Sequence, residues 1–187
     1  MSEGQKYADR WNNNDTLFGI YMGSNDIFDV INVNNTKTWS QNLDDILEVY
    51  YTVMENIYET GGRNFLLINI PPLYNAPVNA GGKKYHFTTE TIPYFNYFLK
   101  AKAQKFTKQH SDVNLLFYNL HAEYSHILNK YQNYKFISPI KAWKTDPKSK
   151  RILKRMDNYF WRDYMHISNR ANLLIAEDMN KFLEKLN

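Results

Sequence analysis

Residues 17–30 read LFGIYMGSNDIFDV, and this stretch indicates the fold class. The nearly continuous apolar run Leu17–Met22 is typical of a strand that is buried on both faces of a parallel sheet. The run stops at the block GSND, residues 23–26, for which two interpretations are open. Gly, Asn and Asp are common in β-turns. They also suit the carboxyl end of a strand at an active site, where an amide faces a reacting atom.

Two further apolar runs predict strands of the same kind. The sequence NFLLINI, Asn64–Ile70, ends at two prolines, which cannot donate to a sheet ladder. The sequence VNLLFYNL, Val113–Leu120, is the third predicted strand. Residues 73–88, after the second strand, are predicted to form a long loop, and residues 132–160 are irregular and basic.

Between and after these strands, apolar residues recur at helical spacing and predict four helices. Thr38 and Gln41 form the pattern of a capping box, and Gly61-Gly62 closes the helix that they begin. A second helix is predicted over Thr91–Gln109, with Ile92, Phe95, Leu99 and Phe106 on one side. A third takes in Tyr124, Ile127, Leu128 and Tyr131, and a last one begins at Ser168.

This alternation predicts a parallel sheet with helices on both faces, in the order β-α-β-α-β-α-loop-α. At 187 residues the chain is expected to be a single domain. The hydrophobic fraction of 43%, with 15 Tyr and 11 Phe, provides for a sizeable core. The chain has no cysteine, which excludes disulfides and thiolate chemistry. We predict no membrane span, since no apolar run approaches 18 residues, and no signal peptide at Met1.

A second polar block stands near the C-terminus, in the sequence YFWRDYMHISNRAN. Asp163 and His166 are three residues apart, and in a turn this spacing lets one side chain reach the other. A carboxylate on the imidazole Nδ1–H fixes the tautomer and leaves Nε2 available as a base. Asn25, with the backbone N–H of Gly23, is a candidate donor to an oxyanion. The plainer alternatives are a surface aspartate and a structural histidine.

Through these two blocks, the chain resembles the SGNH hydrolases, also called GDSL lipases or esterases. It is most similar to their fungal-type carbohydrate (acetyl) esterase branch. The resemblance rests on GSND after a strand, on DYMH before the last helix, and on NIPPL and YFWRD. It implies a flavodoxin-like three-layer α/β/α sandwich. It also implies that Asp163 and His166 are the acid and base of a Ser-His-Asp triad, and that Gly23 and Asn25 belong to the oxyanion hole.

The resemblance also implies a nucleophile that the sequence lacks. The family's serine lies in a Gly-Asp-Ser block upstream of the Gly-x-Asn-Asp block, and none of the 22 residues before Gly23 form it. Ser24 and Ser168 do not stand where a triad serine should. We therefore expect a domain over residues 1–187 that lacks the N-terminal strands, has about three strands, and is inactive alone. Strand 17–22 then becomes an edge, open to a missing N-terminal segment or to self-association.

Two functional classes remain open at this point. The first is an ester hydrolase without metal or cofactor, acting on a small ester or an acetylated carbohydrate. The second is a non-catalytic descendant that binds carbohydrate or protein. A nucleic-acid site over residues 141–155, which hold seven Lys/Arg and Trp143, is disfavoured because the net charge is only +4. Relatives of this type are commonly secreted, and the sequence itself does not determine localisation.

Overall fold

A computed structural model describes residues 11–29, 37–79, 87–146 and 155–185 of the chain. Three parallel strands form one sheet in the order β1-β2-β3, with β1 at Leu17–Ile20, β2 at Asn64–Ile68 and β3 at Asn114–Tyr118. Strands of a parallel sheet that alternate with helices along the chain are the architecture of a three-layer α/β sandwich. The predicted fold class is therefore confirmed.

The helices, in chain order, are α1 at Ser24–Asp29, α2 at Trp39–Glu59, α3 at Thr91–Gln109, α4 at Leu120–Asn129 and α5 at Asn169–Glu184. Short 3₁₀ turns occur at Leu73–Asn75, Pro77–Asn79 and Met156–Asn158. The chain divides into two compact units. The first comprises Met1–Asn69 and Pro93–Tyr118, and the second comprises Ile70–Ile92 and Asn119–Asn187. The prediction of a single truncated domain stays a prediction.

The sheet lies in the first unit, and the apolar residues of its strands contribute to the core of that unit. Phe65 and Leu67 of β2 are fully buried, as the central position of this strand requires. At the start of the strands, asparagines form a ladder. The Asn114 amide donates to Asn64 Oδ1 at 2.9 Å, and the Asn64 amide donates to the carbonyl of Asn13 at 2.7 Å. These bonds fix the register of the strands and the turn before β1.

β1 differs from its prediction in two respects. It ends at Ile20 rather than Met22, and it is not buried on both faces. Leu17, Tyr21 and Met22 are 41%, 48% and 42% exposed, and only Ile20 of the strand is buried. The physical reason is position, because β1 pairs with β2 alone among the described strands and is therefore an edge strand. The buried Tyr50 hydroxyl donates to the Ile20 carbonyl at 3.0 Å and closes the strand on the α2 side.

The ends of α2 are those that the sequence predicts. Thr38 accepts from the Gln41 N–H and donates its own N–H to the Gln41 side chain, which completes the capping box. At the other end, Gly61, at φ +100°, and Gly62 donate to the carbonyls of Tyr58 and Ile57, both at 2.9 Å. This pair of bonds is a Schellman motif, which explains why two glycines stand there.

The remaining helices agree with prediction except in their limits. α3 has the predicted bounds, and Ile92, Phe95, Leu99 and Phe106 are all fully buried. α4 begins earlier than expected, at Leu120, and ends before Tyr131, because Asn119 accepts from the Ala122 N–H and so starts the helix. β2 and β3 are each two or three residues shorter than their apolar runs. No helix in the described ranges is long and apolar enough to cross a membrane.

Candidate active site

The turn that carries Asp163 and His166 lies in the second unit and is closed by backbone pairing. Trp161 and Ile167 form an antiparallel bridge, and the Arg162 N–H donates to the His166 carbonyl at 2.7 Å. Trp161 is fully buried and donates its indole N–H to the Pro139 carbonyl at 2.8 Å. The aromatic residues that precede the motif are therefore the anchor that holds the turn in place.

Asp163 organises the turn through one oxygen. Its Oδ1 accepts from the N–H of Met165 at 3.2 Å, from the N–H of His166 at 3.0 Å and from His166 Nδ1 at 2.8 Å. With Nδ1–H donating to the carboxylate, Nε2 carries the lone pair. The His166 side chain is 73% exposed and that of Asp163 is 21% exposed. The geometry is that of an imidazole oriented through Nδ1 whose side chain is largely exposed.

The electrostatics of Asp163 favour its ionised form. Burial raises the pKa of the Asp163 carboxyl, but the hydrogen bonds from the His166 and Met165 backbone and from the His166 ring outweigh burial. The net effect is a pKa below the ordinary value for aspartate. The carboxylate is therefore charged at neutral pH and accepts the hydrogen bond that orients the His166 ring.

The GSND block lies in the first unit, immediately after β1, and it is more than a β-turn. Gly23 precedes the short helix α1, and its carbonyl accepts from the Ile27 N–H at 2.9 Å. Gly23 has φ +111°, and a Cβ there would lie 2.6 Å from the Phe95 ring. Asn25 is exposed in the first turn of α1. The N–H groups of a helix's first turn have no partners within the helix, which suits donation to an anion.

The two serines that the sequence leaves as substitutes occupy other positions. Ser168 is fully buried, and its hydroxyl accepts from the Ala171 N–H at 3.2 Å as the cap of α5. That bond and that burial assign it a structural role. Ser24 is the first residue of α1 in the first unit, whereas His166 belongs to the second.

The loop after β2 contributes a contact that sequence reasoning missed. The Val78 N–H donates to the Tyr164 carbonyl at 3.0 Å, so this loop is attached to the turn of Asp163 and His166. In the same unit, the Tyr74 hydroxyl and His121 Nε2 lie 3.0 Å apart, and burial lowers the His121 pKa. The partners are 47 residues apart in sequence, and no periodicity or motif connects them.

The described residues contain no group of three or more His, Cys, Asp or Glu side chains that could hold a metal ion. Of the basic stretch 141–155, residues 147–154 lie outside the described residues. In the part that is described, Trp143 and Lys144 donate backbone N–H groups to the carbonyls of Trp161 and Arg162, both at 3.0 Å. This part of the stretch therefore supports the segment that leads to Asp163.

Comparison with known proteins adds the family. An acetylesterase from Thermothelomyces thermophilus is 27% identical to the chain over 110 residues. The match covers 55% of this chain and 34% of the relative, so the matched part spans about a third of that protein's length. A family model described as GDSL-like Lipase/Acylhydrolase matches residues 3–179. A match over nearly the whole sequence shows that the chain belongs to the GDSL-like lipases and acylhydrolases, a family of ester hydrolases.

Proposed function

We propose that this chain supplies the acid–base pair and the oxyanion donors of a serine ester hydrolase. The observation that carries the proposal is the 2.8 Å contact between Asp163 Oδ1 and His166 Nδ1, with the ring of His166 largely exposed. An imidazole oriented in this way by a carboxylate is the form that a general base takes in acyl transfer. Membership of the acylhydrolase family supports the same reaction.

The proposed chemistry proceeds through an acyl-enzyme. Nε2 of His166 takes the proton of a serine hydroxyl as its oxygen attacks the ester carbonyl carbon. Gly23 N–H and the Asn25 side chain donate to the oxyanion that forms. The imidazolium then protonates the departing alcohol, and a water molecule repeats the sequence to release the acid. Asp163 holds the ring and stabilises its positive charge throughout.

The serine is proposed to come from a segment outside residues 1–187 or from another chain. The basis is the sequence, which has no Gly-Asp-Ser block, and the burial of Ser168. The substrate is proposed to be a small acetyl ester or an acetylated carbohydrate, since the relative is named an acetylesterase. The alternative is a non-catalytic binding protein on the same fold, and the following experiment distinguishes it from an ester hydrolase.

The experiment compares residues 1–187 with a chain extended by the coding sequence upstream of Met1. We expect residues 1–187 to hydrolyse p-nitrophenyl acetate at the background rate and to resist labelling by a fluorophosphonate. We expect the extended chain to be active, and His166→Ala to lower its kcat/KM by at least about 10³-fold. Tyr164→Phe, an exposed neighbour in the same turn, is the control and should stay near wild type.

Two results would contradict the proposal. Ordinary turnover by residues 1–187, abolished by Ser24→Ala, would place the nucleophile within the chain. An extended chain that is folded and inactive, or active with His166→Ala unchanged, would favour the non-catalytic class or another base.

A further inference from the structure

The surface between α2 and α3 carries aromatic side chains that neither the core nor the proposed catalytic site uses. Tyr94, Tyr97 and Phe98 share one face of α3, because positions three and four apart on a helix are neighbours. This face differs from the buried face at Phe95 and Leu99. Tyr97 is 70% exposed and Phe98 is 36% exposed, so burial in the core does not account for either ring.

These rings form a continuous row. The Phe98 ring lies 5.0 Å from Tyr97 and 4.6 Å from Tyr94, and the Tyr94 ring lies 5.2 Å from Trp39 on α2. The Tyr94 hydroxyl donates to Asp44 Oδ1 at 2.9 Å, which fixes the orientation of this ring. One end of the row is therefore anchored by this bond and by the contact of Tyr94 with Trp39.

Phe98 also lines a groove between the two helices. We call this groove, with the row of rings beside it, the aromatic groove. It has a volume of about 350 Å³ and is walled by Asp44, Glu48, Lys102 and Lys105. That volume is at the lower end of the range for sites that hold small molecules, roughly 300–1,000 Å³. All of these residues belong to the first compact unit.

The charges of the aromatic groove balance. Two carboxylates stand against two ammonium groups, and Glu48 and Lys102 form an ion pair with an N–O distance of 2.6 Å. A charged ligand gains no net attraction from such a wall, whereas a hydroxyl group can donate to the carboxylates and accept from the lysines. The ligand that fits both the walls and the rings is neutral, rich in hydroxyl groups and flat on one face.

We propose that the aromatic groove is a binding site for a neutral carbohydrate chain, separate from the residues proposed for catalysis. The C–H groups on one face of a pyranose ring carry partial positive charge and lie against the negative face of an aromatic ring. Tyr97 and Phe98 supply the stacking surfaces, and Asp44, Glu48 and Lys105 bond the hydroxyl groups. The proposal does not depend on whether the chain hydrolyses esters.

The test is titration of residues 1–187 with xylohexaose and with cellohexaose, measured by calorimetry. We expect saturable binding of at least one of them, unchanged by added salt because the ligand is neutral. Tyr97→Ala and Phe98→Ala should each weaken binding about five- to tenfold, the effect of losing one aromatic contact. Val49→Ala, at an α2 residue that is 61% exposed and does not line the groove, is the matched control.

Circular dichroism checks that each variant is folded. We expect Tyr97→Ala to fold normally because Tyr97 is exposed. Absence of binding by the folded wild-type chain overturns the proposal. So does binding that Tyr97→Ala and Phe98→Ala leave unchanged. Concentration-dependent dimerisation that Phe98→Ala abolishes, without sugar binding, would assign the surface to a second copy of the chain instead.

Discussion

Gly23 shows how a single residue can be fixed both by backbone conformation and by space. Its φ of +111° is unfavourable for any residue with a side chain, and its Cβ position lies 2.6 Å from the Phe95 ring. The sequence allows the residue to be singled out, because glycine ends an apolar run there. The contact with Phe95, 72 positions away, becomes visible only in the folded chain.

Replacing Gly23 by alanine should therefore lower the free energy of unfolding by about 2–3 kcal/mol, from strain and overpacking together. Gly19→Ala is the matched control, since a Cβ at Gly19 meets nothing within 4 Å. We expect that control to change stability by less than about 0.5 kcal/mol. Urea denaturation measures both variants. Equal midpoints for the two would contradict the steric argument.

The pH dependence of Asp163 follows from the direction of its pKa shift. The pKa in the folded chain lies below the ordinary value of 3.8, so folding favours the carboxylate. The stabilisation is then fully present above the unfolded pKa and is lost as pH falls through the folded pKa. At neutral pH, Asp163→Asn should cost about 1–2 kcal/mol.

Unfolding by urea at a series of pH values tests this expectation. The stability gap between wild type and Asp163→Asn should shrink as pH falls below about 4. Glu177→Gln, at an exposed carboxylate on α5 in the same unit, is the control and should change the free energy of unfolding at neutral pH by less than about 0.5 kcal/mol. A gap for Asp163→Asn that stays constant with pH would show that its carboxylate charge does not stabilise the turn.

At the scale of elements, the caps were the features most accessible to sequence reasoning. A cap is a local pattern, so Thr38 with Gln41, Gly61 with Gly62, and Ser168 could each be assigned from a few adjacent residues. The sequence did not predict α1, because this helix is too short to show a recognisable pattern. Six residues with one buried side chain, Ile27, do not show a helical period.

The candidate site divides in the same way. The contact between Asp163 and His166 was predictable because its partners are three residues apart. The contact of Tyr74 with His121, and that of Val78 with Tyr164, join residues far apart in the chain, and a single sequence carries no signal for them. Strand lengths were overestimated because an apolar run continues past the last residue that pairs.

The side-chain caps of α2 and α5 differ in burial, and this predicts different costs when each cap is removed. Ser168 is fully buried, so Ser168→Ala leaves the Ala171 N–H without a partner and without water, at a cost of about 2 kcal/mol. Thr38 is exposed, and Thr38→Ala should cost about 1 kcal/mol because water replaces part of the bond. Thr38→Ser keeps the hydroxyl and is the control. Denaturant midpoints that reverse this order would contradict the argument from burial.

At the scale of the whole molecule, the parallel sheet of the described residues agrees with the family assignment and leaves one strand with an unpaired side. A parallel sheet places the carboxyl ends of its strands at one edge, and such folds form their active sites and ligand sites there. A central strand in a sheet of this kind is expected to be covered on both sides. Here β1 has the apolar composition of such a strand and pairs on one side only, with β2, among the described residues.

An apolar edge strand is expected to pair with another chain. β1 contains no charged residue and no proline, which are the usual protections of an edge. Leu17 in the strand and Tyr21 and Met22 directly after it are each more than 40% exposed. We therefore expect residues 1–187 to self-associate, with a mass by light scattering that rises with concentration. Hydrogen exchange at 17–20 should slow as the mass rises.

Charge placed on this edge should oppose the association. Leu17→Lys and Tyr21→Lys put an ammonium group where a second strand would pair, so both should shift the chain towards monomer. Leu173→Lys, at a residue of α5 that is 63% exposed, adds the same charge elsewhere and should leave the mass unchanged. A monomer at every concentration, or an equal effect of all three substitutions, would mean that the β1 edge does not drive association.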